Sequence, residues 1–216
     1  MLKEITIAIG DLLLDPNNPR FIDDLESHEV VGDEELEGAQ QSTLKRFKTT
    51  AGAAEDGEED PTEIKDLVDS MRQIGYIPID RIVVRAIAGS DKFLVIEGNR
   101  RVCTIKKLLR EYETETDPNQ KHRLESHLEG FNSIPCLLLE TAGLRADEVE
   151  HRVRVILGLR HHGSLLEWEP LPKAFNVFSE YMQQDPPMSS FVFENRRVAD
   201  VQSRLSIPRS KVIGSL

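Results

Sequence analysis

The spacing of apolar and polar positions divides the chain into a strand-bearing first part and a purely helical second part. Ile5, Ile7 and Ile9 recur at every second position, the period of a half-buried strand. Short apolar runs follow at 81–87 and 93–96, joined by the turn residues Gly89-Ser90-Asp91, and another at 134–139 is expected to close the sheet. Between them Ile64, Leu67, Val68, Met71 and Ile74 fall at helical spacing. Asp60 reads as the N-cap of that helix, Pro61 as its first residue, Glu63 as the partner in a capping box, and Gly75 as its stop. Val102, Ile105, Leu108 and Leu109 repeat the helical spacing directly after the 93–96 run, and residues 111–130 are polar enough for a surface helix or loop. Beyond Ala146 the strand pattern stops. Val149, Val153, Ile156, Leu157 and Arg160 mark one helix and residues 168–182 another. The predicted fold class is α+β: a small mixed sheet with helices over residues 1–143, then an all-helical region over 144–216.

The junction at Glu97-Gly98-Asn99-Arg100-Arg101 carries the most chemistry. Gly98 permits a tight strand-to-helix turn, and Asn99 reads as the N-cap of the following helix. The N–H groups of the first helical turn and the positive end of the dipole then make an anion site. Arg100 and Arg101 sit in that same turn, where each cation opposes the dipole at a cost of roughly 0.3–1 kcal/mol. Something negative must offset them. Either a phosphate group lodges there, gripped by guanidinium forks and backbone amides, or a carboxylate such as Glu97 neutralises the pair.

Composition narrows the classes. The chain has 216 residues, 39% apolar and 30% charged, with no apolar run long enough for a membrane span and no apolar core after Met1 for a signal peptide, so the expected compartment is the cytoplasm. Cys103 and Cys136 have no CxxC spacing and read as buried thiols. His122 and His127 are five apart and His161 and His162 adjacent, which predicts no structural zinc. The net charge of −11 is uneven: residues 22–60 hold 13 acidic side chains against Lys45, Arg46 and Lys48, whereas from Arg196 onward five basic side chains face Asp200 alone. Residues 26–60 therefore read as an acidic insertion, disordered or a mobile flap. It offers an autoinhibitory stand-in for phosphate, a hypothesis that fails if deleting it leaves nucleotide and DNA affinity unchanged. At the other end Val201, Leu205, Ile207 and Val212 take the core positions of a helix-turn-helix. Residues 206–208 form its turn, Arg204, Arg209, Ser210 and Lys211 are its candidate DNA contacts, and a merely structural helix pair is the alternative. The sequence ends inside what would be the recognition helix, as expected of part of a longer chain.

These motifs, taken in order, resemble the ParB/sulfiredoxin superfamily, in particular the amino-terminal domain of ParB-like proteins. Asn18-Pro19-Arg20 is similar to the family's Gln-Pro-Arg loop, the 66–75 stretch to its helix-to-glycine segment, and Gly98-Asn99-Arg100-Arg101 to its Gly-Glu-Arg-Arg box. The resemblance implies a bacterial DNA-binding protein acting in DNA segregation, transcription regulation, or mobile-element and defence biology. It would bind CTP or another nucleoside triphosphate with Mg2+, in a homodimer that closes on DNA. Carried over by position, Arg100 and Arg101 would hold phosphates, Gly98 and Asn99 would line the turn, Arg20 would reach the ligand, and Gly75, Tyr76 and Pro78 would lie near base or ribose. Arg160 would match the arginine of a Glu-Asn-x-x-Arg box. The chain departs from the pattern at Asn99, where the family has glutamate, and at residues 156–159, which lack the Glu-Asn pair that positions metal. Weak hydrolysis of the triphosphate is thereby put in question. The same superfamily includes phosphoryl-transfer enzymes and nucleases, for which Glu97 and Asp80 are the candidate base or metal ligand; a module that has lost its nucleotide is a third reading.

Overall fold

The structure is a computed structural model, described here for residues 1–21, 30–49, 60, 62–128, 130–161, 170–184, 187–205 and 209–216. Expectations for Pro61, Trp168 and Ile207, for the turn at 206–208, and for residues 22–29 and 50–59 of the acidic stretch lie outside the described residues. The chain divides into two compact units, one of residues 1–17 and 30–141, the other of residues 18–29 and 142–216.

The first unit is a mixed five-stranded sheet in the order β1-β5-β3-β4-β2, with β1 at Leu2–Ala8, β2 at Leu12–Leu13, β3 at Ile82–Ala86, β4 at Phe93–Glu97 and β5 at Ser133–Leu139. β3 is central, parallel to β5 and antiparallel to β4, and its run Ile82-Val83-Val84 is buried on both faces, which is why it reads as continuous rather than alternating. The sequence expectation that the 134–139 run closes the sheet is corrected. β5 lies inside it, with β1 antiparallel on its outer side, and only Ile7 of β1 is fully buried. β1 also ends at Ala8, so Ile9 falls in a 3-10 turn instead of the strand. The two-residue β2, which the pattern did not reveal, runs parallel to β4 at the opposite edge.

The acidic stretch departs most from expectation, because its described residues are ordered. After a 3-10 turn at Asp33–Glu35 it forms α1, Leu36–Arg46, which buries Leu36 in a cluster with Leu13, Ile87 and Leu94. Gln40 of α1 accepts from Leu14 N–H at 2.8 Å and donates to Leu14 O at 2.9 Å, so one side-chain amide satisfies the backbone just past the β2 edge. Asn17 makes the same two-way pairing with Val31, and Arg85 donates to both oxygens of Asp33. Residues 30–49 of the insertion have few apolar side chains, yet backbone-mimicking amides and one bidentate ion pair hold them in place.

The second helix, α2, spans Lys65–Ile74, and the predicted capping box does not form. Asp60 instead accepts from Thr62 N–H at 2.8 Å on its side chain and from Glu63 N–H at 2.9 Å on its carbonyl, and Glu63 makes an isolated parallel bridge with Lys48, so a turn and a bridge stand where the first helical turn was expected. Val68 and Met71 are buried, whereas Ile74 is 61% exposed because Gly75, at φ 74°, turns the chain away just after it. α3, Asn99–Thr114, follows β4 and buries Val102, Cys103, Ile105 and Leu108; α4, Pro118–Leu128, completes this unit.

The second unit contains α5 (Ala146–His161), α6 (Pro170–Met182), α7 (Asn195–Leu205) and α8 (Arg209–Gly214). Val177, Tyr181, Val198, Val201, Leu205 and Val212 form its core. Tyr181 donates its buried hydroxyl to Val192 O at 2.8 Å and accepts from Glu194 N–H, which fixes the entry into α7.

Candidate functional site

The strand-to-helix junction is built from β4, the loop 75–80 and the first turn of α3. Gly98 holds φ 101°, and a Cβ placed on it would lie 2.9 Å from Ile82 Cγ1 and 3.3 Å from Arg101 Nη2. Glycine is therefore needed twice over, for the left-handed backbone and because β3 and an arginine close over it. Gly98 itself is the N-cap, so the assignment of Asn99 to that position is corrected. Asn99 is the first residue of α3 and is 3% exposed. Its Oδ1 accepts from Asp15 N–H at 2.9 Å and its Nδ2 donates to Val95 O at 3.0 Å. The side chain clamps the 15–17 loop to the end of β4, where an N-cap would have satisfied the helix.

Both guanidiniums are held by backbone carbonyls. Arg100 donates to Glu63 O, and Arg101 to Asp80 O; Glu97 lies 3.8 Å from Arg101, longer than a charge-assisted hydrogen bond. The carboxylate reading of the sequence is met at Arg101 by this long contact with Glu97, at the positive end of a 16-residue helix. The carbonyls orient the arginines without neutralising them.

Tyr76 completes the neighbourhood. Its hydroxyl is buried without a well-formed hydrogen bond, within reach of Arg101. Burial holds the phenol above its ordinary range against the pull of Arg101 and Arg81. Arg81 was not singled out by the sequence, because an arginine at the head of a strand has no pattern to mark it. The same two arginines oppose the burial that pushes the Cys136 thiol up to about 11, and Cys103, buried in α3, is pushed up to about 12. Both thiols are free and protonated at neutral pH, which removes them from nucleophilic chemistry. Ile77, Pro78 and Ile79 are exposed beside this cluster.

Asp15, at the far end of the Asn99 clamp, has its carboxyl pushed up to about 6 by burial, partly offset by Asn17 N–H and Arg85, with Asp33 raising it further. Asp33 moves the other way, its hydrogen bonds to Arg85 holding it below the usual carboxylate range. Among the described residues no three His, Cys, Asp or Glu side chains come together as a metal-binding group.

The remaining candidates lie in the second unit. Arg20 sits in the 3-10 turn Pro19–Phe21, its N–H donating to Asn18 Oδ1, and Arg160 is half-buried in the last turn of α5. Arg209, Ser210 and Lys211 are exposed on α8 while Val212 anchors that helix in the core; Arg209 reaches Asn195 Oδ1 at the start of α7. Arg204 donates to Glu180 Oε1 at 3.1 Å. Glu180, only 1% exposed, was missed by sequence reading, and it also accepts from Arg154 Nε at 3.0 Å and contacts His151 Nδ1 at 3.0 Å. One carboxylate thus ties α5, α6 and α7 together.

No helix among the described residues is long and apolar enough to cross a membrane. No family model matches the chain, and no curated protein does. Among solved structures the chain is similar to the C-terminally truncated chromosome-partitioning protein ParB from Caulobacter crescentus complexed with CTP-gamma-S, at 12% identity over 99% of this chain and 76% of that one, with a TM-score of 0.34. It is also similar to the Pnob8-like ParB-N domain, at 12% identity over 100% of this chain and 68% of that one, with a TM-score of 0.45.

Proposed function

We propose that the chain is a ParB-like DNA-binding protein whose sheet unit takes a nucleoside triphosphate at the Gly98–Arg101 turn. The observation that carries this reading is the pair Arg100 and Arg101, fixed by backbone carbonyls in the first turn of α3 over a glycine that no other residue can replace without displacing Ile82. Two features fit a triphosphate: forked guanidinium donors in the first turn of α3, and a buried hydroxyl of Tyr76 without a well-formed hydrogen bond. Arg100 and Arg101 would bind the phosphates, and a bound Mg2+ would supply further charge neutralisation. Asn99 would act from behind by holding the turn's geometry, its amide being committed to Asp15 and Val95. The second unit would contact DNA through Arg209, Ser210 and Lys211, which α8 presents outward.

Titration of CTP, ATP and GTP with magnesium against the native chain and the double variant Arg100→Ala, Arg101→Ala tests the site. The expected result is nucleotide-dependent thermal protection of the native chain that the variant loses. Absence of protection by any nucleotide or polyphosphate would sink the reading. For DNA, the fall of log affinity with log salt should flatten by about one unit for each phosphate contact removed at Arg209 and Lys211; an unchanged slope would reduce α7 and α8 to a structural pair.

A further inference from the structure

Resting on the triphosphate reading above, we propose that Arg81 is a third cationic arm of the site, held by Glu4 of β1 and released to the ligand when phosphate competes for it. A triphosphate carries more negative charge than Arg100 and Arg101 neutralise, the more so with Glu97 beside Arg101. A further cation is needed, and the chain delivers one beside the site. Arg101 donates to the carbonyl of Asp80, the residue directly before Arg81, and its Nη2 stands 3.3 Å from where a Gly98 Cβ would be, against Ile82, the residue directly after. Arg81 and Arg101 both act on Tyr76 and on Cys136, so the two guanidiniums share one neighbourhood around a phenol whose hydroxyl is buried without a well-formed hydrogen bond.

The present partner of Arg81 is suited to give way. Its Nη2 lies 3.6 Å from Glu4 Oε1, with the side chains 40% and 74% exposed. At that distance and exposure the pair is a solvent-screened attraction without a formed hydrogen bond, so a multiply charged phosphate competes with the carboxylate at little cost. Tyr76, on which both arginines act, would donate its hydroxyl to the same ligand. Arg100 and Arg101 are then the fixed part of the site and Arg81 the movable part.

The experiment measures binding of inorganic tripolyphosphate and of CTP with magnesium by calorimetry to the intact chain and to Arg81→Gln, Glu4→Gln, Tyr76→Phe and the double variant Arg81→Gln, Glu4→Gln. Arg81→Gln should weaken tripolyphosphate about tenfold, the loss of one charge-assisted contact. Glu4→Gln should tighten it by about two- to fourfold by removing the competing carboxylate, and this gain should vanish in the double variant. Tyr76→Phe should weaken binding without lowering the melting temperature. If Arg81→Gln and Glu4→Gln both bind as the native chain does while Arg100→Ala with Arg101→Ala abolishes binding, the third arm is refuted and the triphosphate site stands. If the native chain binds neither ligand, both fall. Since Arg81 and Glu4 are exposed, circular dichroism of the single variants should match the native spectrum, so lost binding cannot be ascribed to unfolding.

Discussion

Glu180 makes the most demanding test of how the second unit is held. Its carboxylate is 1% exposed and takes its contacts from Arg154, Arg204 and His151, whose side chains are 12%, 41% and 34% exposed. Replacing it by alanine leaves the Arg154 guanidinium largely buried with Glu150, at 3.5 Å and 68% exposed, as the remaining carboxylate contact in view. Removing one partner of a buried ion pair costs about 3–5 kcal/mol, because the stranded charge keeps its desolvation penalty. Glu180→Gln keeps the shape but turns one acceptor oxygen into a donor that faces donors, so its cost should fall near the lower end of that range. Arg204→Met removes the most exposed arm and leaves Glu180 with Arg154 and His151, so it should cost less than Glu180→Ala. The assay is chemical unfolding of the intact chain followed by far-UV circular dichroism, with hydrogen exchange resolving α5, α6 and α7. A loss of 3 kcal/mol corresponds to a fall of about 6–12 °C in melting temperature for a chain of this size. Raising salt to about 1 M should leave the Glu180 penalty nearly unchanged, while it erases any contribution of the exposed pair Arg72–Glu111. Should Glu180→Gln melt with the native chain, the hub is a coincidence of side chains and the reasoning fails.

Other expectations concern the first unit. Asn99→Asp keeps the acceptor for Asp15 N–H but cannot donate to Val95 O, and should cost about 1–3 kcal/mol in urea unfolding; native stability would show that the clamp is idle. Gly98→Ala combines a left-handed φ with a 2.9 Å approach to Ile82, and should lower stability by about 1–3 kcal/mol and weaken phosphate binding with it, whereas Gly10→Ala, with open space around it, should do neither. Asp15 predicts a pH dependence of definite sign. Its carboxyl titrates at about 6 in the folded chain and at 3.8 when unfolded, so the folded state binds the proton more tightly, and this group lowers stability progressively as pH rises from about 4 to 6. The full effect is at most about 3 kcal/mol; Asp15→Asn should be more stable than the native chain at pH 7.5 and equal to it at pH 4, and equal stability at both would refute the burial argument. Asp33 works in the opposite sense, since Arg85 depresses its carboxyl: its contribution is present above the ordinary carboxylate range and lost as pH falls below it, outside the Asp15 window.

Local chemistry was legible wherever period and turn residues agreed. The helix stop at Gly75, the tight turn at Gly98, the run Ile82-Val83-Val84, the helical stripe from Val102 to Leu108 and the buried thiols all follow from spacing and residue type, because each is settled within one element. Part of the helical core of the second unit is visible in Val201, Leu205 and Val212. Where the sequence misled, a distant partner outbid a local one. Asn99 has the composition of an N-cap, yet Asp15 and Val95 take its amide, and Asp60 has the composition of a capping residue, yet its carboxylate goes to Thr62 and Lys48 while Glu63 bridges to Lys48. The acidic stretch looked unable to fold, since its own apolar content is too low to offset the entropy of ordering it. Gln40, Asn17 and Arg85 supply contacts across the sheet that no window of sequence contains.

By itself, then, the sequence determined the segments of β1, β3, β4 and β5 and the stripes of α2, α3, α5 and α6, though not β2 or α1, and that two arginines crowd one helical turn, because periodicity, glycine and charge act over a few residues. Only the tertiary structure decided that β5 lies within the sheet, that Arg101 is oriented by Asp80 O while Arg81 faces Glu4, and that a single buried carboxylate joins three helices. Those outcomes depend on which surfaces meet at separations of tens of residues, and there the free energy is set by desolvation and geometry that no local pattern encodes.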